Sequence, residues 1–269
     1  MSEVAGSRRA ELAARLREAE RSGTPIEPLT RTEPGLTLGD AYAIQTENVG
    51  ARLAAGDVLV GRKIGLTSKP MQRLLGVAEP DFGALLGGMA VEDGGSIAVD
   101  RLLAPRAEAE IAFLIESELA GPGVTGASAA AAIGGAVAAI EIIDSRIADW
   151  EIQLVDTVAD NASSARFALG SKVVPLDELD LRLEGMALSS GEEVVSTGAG
   201  AAALGDPLRC VAWLADALAE FGDGLRPGDV VLSGALHAAV PVTAGETLRG
   251  EFTNLGSVAV AFTDSGREA

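Results

Sequence analysis

The chain of 269 residues is poor in the side chains that carry redox, zinc and histidine-based chemistry. It has one cysteine, Cys210, and one histidine, His237. A single cysteine excludes a disulfide within the chain and any cysteine-based zinc site. A Ser-His-Asp or Cys-His arrangement would have to use His237. We therefore expect any catalysis to depend on carboxylates, lysines, hydroxyls and a hard metal ion.

Positive charge and long apolar runs are also scarce. The chain has 21 lysines and arginines against 39 acidic residues, a net charge of −18. Because such a field repels phosphate backbones and anionic lipids, no nucleic acid or membrane partner is expected. No apolar run reaches the roughly 18 residues that a transmembrane helix needs. The charged N-terminal region does not resemble a secretory signal, and we expect a cytoplasmic protein.

The periodicity predicts a helical N-terminal section over residues 1–56 and a strand-rich catalytic domain over residues 57–269. Leu12, Ala13, Leu16 and Ala19 recur at helical spacing within the first 22 residues, and a second helix is predicted from Ala41 to Ala55. Further helices are predicted over 69–75, 128–138 and 208–221. Short β-branched runs predict strands over 58–66, 95–100, 109–115, 139–143, 229–234 and 257–262. We expect a mixed, β-rich α+β fold.

The sharpest local pattern is a pair of glutamates at the start of an apolar strand. In the run from Arg106 to Ile115, Glu108 and Glu110 point to the same face, because side chains alternate along a strand. Both faces of this strand are otherwise largely apolar. Two carboxylates side by side repel, and burial would raise the pKa of at least one of them.

A third glutamate, Glu141, stands alone inside the apolar run 138–143. An uncompensated buried carboxylate is costly, so it needs a partner. A divalent cation would serve all three glutamates, and their all-oxygen ligands suit Mg²⁺ or Mn²⁺. The spacing leaves a second interpretation open, in which Glu108 and Glu110 face solvent and Glu141 pairs with Arg146.

Other candidate site residues are individually weak signals. Lys63, between glycines and a hydroxyl-rich turn, is either an acid–base group or an ordinary solvated lysine. Asp81 lies in a predicted turn over 79–83 and either orients a water or caps that turn. The polar stretch 156–164 follows a strand-like segment, 152–155, and forms either a binding loop or a turn into a helix. His237 is either a general base or structural, and Cys210 is predicted to be inert core.

Six segments in order resemble the 2-keto-4-pentenoate hydratase / 4-oxalocrotonate decarboxylase family of the fumarylacetoacetate hydrolase superfamily. They are 61–68 (GRKIGLTS), 80–83 (PDFG), 108–110 (EAE), 141–146 (EIIDSR), 160–163 (DNAS) and 233–236 (SGAL) with 255–258 (LGSV). The resemblance runs from about residue 35 to 263. It implies the mixed β-fold of that superfamily.

The resemblance also implies the site. It assigns Mg²⁺ or Mn²⁺ to Glu108, Glu110 and Glu141, and the catalytic roles to Lys63 and Asp81. Asn161, Ser163 and Ser164 would contact substrate.

The activity implied is hydration of 2-hydroxypenta-2,4-dienoate to 4-hydroxy-2-oxopentanoate, in the meta-cleavage catabolism of aromatic compounds. The alternative is the sister activity, decarboxylation of 4-oxalocrotonate (2-oxo-3-hexenedioate). The lack of an early histidine counts against C–C bond hydrolysis, and the intact glutamate trio counts against a silent structural subunit. A homo-oligomer is implied, and a complex with a sister decarboxylase or a downstream aldolase is possible within such pathways.

Overall fold

The structure is a computed structural model that describes residues 5–265, apart from the side chains of residues 74 and 75. Residues 1–4 of the predicted first helix lie outside this range. Within it, seven α-helices form: α1 (Gly6–Ser22), α2 (Leu29–Thr32), α3 (Leu38–Ala54), α4 (Lys69–Leu75), α5 (Gly126–Ala132), α6 (Leu154–Ala159) and α7 (Pro207–Ala219). The predicted helix over 69–75 is confirmed to the residue.

The described residues form thirteen strands: β1 (Leu59–Gly65), β2 (Asp81–Leu86), β3 (Ala90–Val91), β4 (Ser96–Ala98), β5 (Arg106–Ile115), β6 (Ile133–Ile143), β7 (Ser164–Leu169), β8 (Gly185–Ser190), β9 (Glu193–Ala199), β10 (Val230–Leu232), β11 (Val240–Pro241), β12 (Thr247–Phe252) and β13 (Gly256–Thr263). One sheet has the order β2-β1-β10-β5-β6-β7-β3, with β11 on β5, and the other has the order β4-β13-β12-β8-β9. The predicted α+β class is confirmed.

The N-terminal helices pack through the apolar positions that their periodicity indicates. Leu12, Ala13, Leu16 and Ala19 are the buried residues of α1. The second helix begins at Leu38, three residues before the predicted start at Ala41. The reason is a capping box, in which Thr37 accepts from the Asp40 N–H while Asp40 accepts from the Thr37 N–H.

The helical section and the strands share one hydrophobic cluster. Leu12 of α1 and Ile44 of α3 belong to the same cluster as Ile111 of β5 and Ile140 of β6. All four side chains are fully buried. The helices therefore form part of the main core, and the division at residue 56 stays a prediction.

The predicted helix over 128–138 is wrong in its second half. Helix α5 ends at Ala132, and the chain continues at once as β6. Gly134 and Gly135 disfavour a helix at this point. Strand β6 pairs with β5 along its whole length, from Ile115↔Ile133 to Arg106↔Ile143. This non-local pairing outweighs the helical propensity of the alanines that follow.

Two further local predictions are corrected. The turn predicted over 79–83 gives way at Asp81 to β2, whose residues are all buried and which pairs with β1. The apolar run after Asp81 is buried on both faces, which favours a central strand. The strand-like segment 152–155 enters helix α6 instead, because Asp156 accepts a hydrogen bond from the Gln153 N–H and so caps that helix.

Candidate active site

Three glutamates meet on neighbouring strands of the larger sheet. Strands β5 and β6 run antiparallel, with Glu108 directly opposite Glu141. Glu110 lies two residues further along β5, on the face that Glu108 also occupies. One carboxylate oxygen from each of the three lies within 4.8 Å of the others. The sequence predicted the shared face, and the register of β5 against β6 adds Glu141 to it.

Two oxygens of this cluster are buried and accept no hydrogen bond from any residue that the structure describes. Glu110 is 1% exposed; its Oε2 accepts from the Gly234 N–H at 2.7 Å, whereas its Oε1 has no partner. Glu141 is 0% exposed; its Oε1 accepts from Ser164 Oγ at 2.8 Å, whereas its Oε2 has no hydrogen bond. Buried polar atoms are almost always satisfied. Two neighbouring carboxylate oxygens that accept no hydrogen bond are therefore suited to ligating a cation.

The alternative interpretation of these glutamates does not fit the geometry. Glu110 is buried, and the partly exposed Glu108 faces the cavity. Arg146 pairs with Asp160, with 2.5 Å between Arg146 Nε and Asp160 Oδ1, and not with Glu141. The cation beside Glu141 is Lys63, whose Nζ lies 3.3 Å from Glu141 Oε2.

Burial raises the pKa of the carboxyl groups and so disfavours their ionisation unless further positive charge is present. It raises the pKa of Glu108 to about 7, although Lys63 acts in the opposite direction. Burial, with the negative charges of Glu141 and Glu108, raises the pKa of Glu110 well above its usual value. Four carboxylates, including Asp81, face the two cations Lys63 and Arg106 here. When all four carboxylates are ionised, the excess of two negative charges is the amount that a divalent cation neutralises.

Lys63 is held in the site by one hydrogen bond and by its ion pair with Glu141. It is 3% exposed on β1, and its Nζ donates to the Ala162 carbonyl oxygen at 2.9 Å. Burial alone would lower its pKa, but attraction by Glu141 and Asp81 outweighs this and raises the pKa. Lys63 therefore stays a charged ammonium, unlike an ordinary solvated lysine.

Asp81 begins β2 opposite Gly65 of β1 and is 2% exposed. Burial raises the pKa of its carboxyl to about 6, against the opposing effect of Lys63. Its Oδ1 is buried and makes no hydrogen bond with the described residues. A Cβ on Gly65 would lie 2.1 Å from this oxygen, so glycine is required there for the carboxylate to fit. The arrangement leaves one Asp81 oxygen free to accept a proton.

The predicted substrate-contacting residues divide into two groups. Ser163 lines the cavity beside Lys63. The Asn161 amide is already engaged, since its Nδ2 donates to the Ala84 carbonyl and its Oδ1 accepts from the Ala84 N–H. Ser164 donates to Glu141. Direct substrate contact stays a prediction, and Ser163 is the member of the three whose position suits it.

The short segment between α6 and β7 is strained in a way that serves Lys63. Asn161, Ala162 and Ser163 all have left-handed backbones, with φ of 55°, 49° and 55°. Consecutive non-glycine residues in this region are costly and are found at sites where geometry matters. The strain aims the Ala162 carbonyl at Lys63 Nζ. No local sequence signal indicates it.

A cavity of about 280 Å³ opens in front of these groups. It is lined by charged and polar side chains, including Lys63, Asp81, Glu108 and Ser163, and by an apolar wall of Met71, Ile143, Trp150 and Ile152. Arg106 also lines it. Sequence reasoning missed the apolar wall and Arg106, although Arg106 shares the strand face of Glu108 and Glu110.

His237 and Cys210 are structural in their surroundings. His237 Nε2 accepts from the Ala109 N–H at 2.8 Å, which leaves Nδ1 as the donor to the Ala238 carbonyl at 2.7 Å. Burial lowers the pKa of this imidazole. Both ring nitrogens are therefore engaged, and the ring braces the backbone between Glu108 and Glu110. Cys210 is buried in α7, as predicted.

Known proteins share this architecture. The profile of the fumarylacetoacetate (FAA) hydrolase C-terminal domain matches residues 70–263. A 2-keto-4-pentenoate hydratase of Burkholderia vietnamiensis is 51% identical, over 95% of this chain and 97% of the relative. A 2-hydroxyhexa-2,4-dienoate hydratase of Comamonas testosteroni is 42% identical, over 93% of this chain and 96% of the relative.

A solved structure is also similar over nearly the whole chain. It is the 4-oxalocrotonate decarboxylase of Pseudomonas putida G7, complexed with magnesium and adipate, with a TM-score of 0.94 and 38% identity. The match covers 96% of this chain and 98% of the decarboxylase. Within residues 5–265, none of the helices is long and apolar enough to cross a membrane. The chain belongs to the 2-keto-4-pentenoate hydratase / 4-oxalocrotonate decarboxylase family of the fumarylacetoacetate hydrolase superfamily.

Proposed function

We propose that this protein is a metal-dependent hydro-lyase that adds water to 2-hydroxypenta-2,4-dienoate and gives 4-hydroxy-2-oxopentanoate, a step in the breakdown of aromatic compounds. The observation that carries the proposal is the near full-length similarity, at 51% and 42% identity, to two dienoate hydratases. The buried carboxylate cluster beside Lys63 and Asp81 supports the same chemistry.

We propose Mg²⁺ or Mn²⁺ as the cofactor, held by Glu108, Glu110 and Glu141. The support is the two buried oxygens of Glu110 and Glu141 that accept no hydrogen bond from the described residues, and the excess negative charge of the site. Carboxylate oxygens suit hard cations of this kind. When bound, such an ion would act as a Lewis acid that binds the substrate through its carboxylate and C2 oxygen and stabilises an enolate.

Lys63 and Asp81 are proposed to move the protons of the reaction. Asp81 Oδ1, which has no hydrogen-bond partner, takes the proton of the C2 hydroxyl. The Lys63 ammonium delivers a proton to C5, giving a 2-oxo-3-enoate, and regains one from Asp81. Water then adds its oxygen to C4 and a proton reaches C3. An Asp81 pKa of about 6 suits a base that works near neutral pH.

The direct test is an ultraviolet assay of the purified protein with 2-hydroxypenta-2,4-dienoate, in Mg²⁺ or in EDTA. We expect metal-dependent loss of the dienoate absorbance and 4-hydroxy-2-oxopentanoate as the product. A different product, or loss of absorbance at the same rate in EDTA, would contradict the proposal.

The second candidate is decarboxylation of 4-oxalocrotonate. The observation that favours it is the TM-score of 0.94 to a decarboxylase that is 38% identical over nearly the whole chain. The identity to the hydratases is higher, which is why hydration is preferred. Release of CO₂ from 2-oxo-3-hexenedioate, without hydration of the dienoate, would establish the decarboxylase instead.

The raised pKa values predict that metal affinity increases with pH. Protons held on Glu108, with its pKa of about 7, and on Glu110 must leave before these carboxylates bind a cation. We expect the apparent affinity for Mn²⁺, measured by calorimetry, to rise about tenfold or more from pH 5.5 to 7.5. An affinity that stays flat or falls over this range would contradict the assignment of these ligands.

The same raised pKa values predict how the stability of the metal-free protein depends on pH. Between about pH 4 and 7 the folded chain holds more protons on these carboxyls than the unfolded chain does, so stability falls as pH rises through this window. Saturating Mg²⁺ should therefore raise the melting temperature more at pH 7.5 than at pH 5.5. An equal increase at both values would contradict the raised pKa values.

We also propose that the chain forms a homo-oligomer, as the family resemblance implies, and that a sister decarboxylase or a downstream aldolase can bind it. Light scattering of the purified protein, alone and mixed with each candidate, tests both statements. A monomer that binds neither would contradict them.

A further inference from the structure

Arg106 is a cation that lines the cavity and whose charge acts on the Glu108 carboxyl without an ion pair to it. It lies two residues before Glu108 on the same face of β5, and its side chain lines the cavity that Lys63 and Asp81 also line. Among residues 5–265, no hydrogen bond or ion pair of its guanidinium is formed, whereas Lys63 is held by Ala162 and Glu141. A half-buried guanidinium with free N–H groups is poised to bind an anion.

The indole ring of Trp150 lies against this guanidinium. The Arg106 guanidinium carbon lies 4.6 Å from the centre of the indole ring. The indole is itself held, because its Nε1 donates to the Ala104 carbonyl at 3.1 Å. Asp149 and Trp150 both have a left-handed backbone, with φ of 57°. Two strained residues in succession indicate that the indole position is imposed by the surrounding structure.

The contact with Trp150 leaves the N–H groups of the guanidinium without a hydrogen bond among residues 5–265. Arginine stacks on aromatic rings by its face while its N–H groups remain available in a planar fork that matches a carboxylate. Trp150, Ile143 and Ile152 line the cavity as apolar side chains, and the carboxylates that line it, Glu108 and Asp81, form no hydrogen bond with Arg106. The N–H groups of Arg106 are therefore available to a planar anion brought in by a ligand.

We propose that Arg106, braced by Trp150, binds a carboxylate of the substrate. This inference rests on the proposed function, since it concerns the same cavity. Two sources fit the chemistry: the C1 carboxylate, which every 2-hydroxy-dienoate carries, and the distal carboxylate of a dioate. In either case Arg106 determines affinity and orientation, and proton transfer remains with Lys63 and Asp81.

Binding of two unreactive acids distinguishes whether Arg106 binds the C1 carboxylate or the distal carboxylate. 2-Oxohexanoate and 2-oxohexanedioate share the 2-oxo-carboxylate end and differ only in the distal carboxylate. Calorimetry with the Mg²⁺-loaded protein compares wild type, Arg106→Gln and Arg106→Lys. Arg166→Gln is the matched control, because Arg166 is also half-buried on a strand outside the cavity, and among residues 5–265 it donates only to the neighbouring Ala165 carbonyl.

We expect Arg106→Gln to weaken binding about 10- to 100-fold, the usual effect of losing a charge-assisted hydrogen bond. Weakening of both acids identifies the C1 carboxylate, and weakening of 2-oxohexanedioate alone identifies the distal one. Arg106→Lys, which keeps the charge and loses the fork, should lie between wild type and Arg106→Gln. Trp150→Ala should weaken the same acid about 2- to 5-fold, as a lost cation–π contact does.

The outcomes separate this inference from the proposed function. Wild-type affinity for both acids in Arg106→Gln, with melting temperature unchanged, would overturn the role of Arg106 and leave hydration untouched. Binding that depends on Arg106 in a protein that does not hydrate the dienoate would overturn the proposed function alone. An equal loss in Arg166→Gln would overturn the inference, because it would show a general effect of removing a half-buried arginine.

Discussion

We expect Lys63→Met to lower kcat about 10²- to 10⁴-fold, the range that a positioned acid–base group contributes, while the protein still binds Mn²⁺. Methionine has a similar length and fills the same space without the ammonium. The substitution removes the hydrogen bond to the Ala162 carbonyl and the cation 3.3 Å from Glu141. Since the lost charge is positive, the carboxylates should bind Mn²⁺ at least as tightly as before. Steady-state kinetics and calorimetry on one preparation measure both.

Lys172→Met is the matched control, because this lysine is exposed and donates to the Asn254 carbonyl far from the cavity. It should leave kcat and metal affinity unchanged. Near-normal turnover in Lys63→Met would remove Lys63 from its proposed role. Loss of Mn²⁺ binding in Lys63→Met would contradict the prediction that metal binding does not need this lysine, because it would show that the ammonium positions the carboxylates.

Glu110→Gln is expected to abolish metal binding and turnover while leaving the fold intact. Burial raises the pKa of Glu110 well above its usual value and so favours the neutral acid, which a neutral amide resembles in shape and charge. The Gln oxygen can still accept from the Gly234 N–H. Affinity should fall by more than the roughly 10- to 100-fold that a change outside the ligand shell costs. Calorimetry with Mn²⁺ and thermal unfolding without metal measure the two effects.

The control for this variant is Glu116→Gln, an exposed glutamate just beyond the end of β5. It removes the same charge without touching the cluster and should bind Mn²⁺ like wild type. If Glu110→Gln binds Mn²⁺ normally, Glu110 is not a ligand. If its metal-free form melts at a much lower temperature than wild type, the buried carboxyl is structural.

The part of the site that sequence could predict is the part set by local periodicity. Alternation along a strand places Glu108 and Glu110 on one face, and a lone glutamate in an apolar run marks Glu141 as needing a partner. The identity of that partner is not local. Arg146 lies five residues from Glu141 but pairs with Asp160, whereas Lys63, far away in sequence, lies beside Glu141 because β1 and β5 both pair with β10.

The features that sequence missed depend on contacts between distant segments. Asp81 follows a proline and looks like part of a turn, but pairing with β1 makes it the first residue of a strand. The strain at Asn161–Ser163 and at Trp150 contradicts local preferences and exists because surrounding structure imposes it. In the sequence, Arg106 has no feature that separates it from an ordinary strand residue. Its contact with Trp150, 44 residues away in the chain, forms only in the folded protein.

The most direct test of the whole account is a titration of the EDTA-treated protein with Mn²⁺ while hydration of 2-hydroxypenta-2,4-dienoate is followed. The account predicts no turnover without metal, a linear rise with added Mn²⁺, and a plateau at one equivalent per chain. The product throughout should be 4-hydroxy-2-oxopentanoate. Full activity in the metal-free protein, or no hydration at saturating Mn²⁺, would contradict the claim that a divalent cation on Glu108, Glu110 and Glu141 supports this reaction.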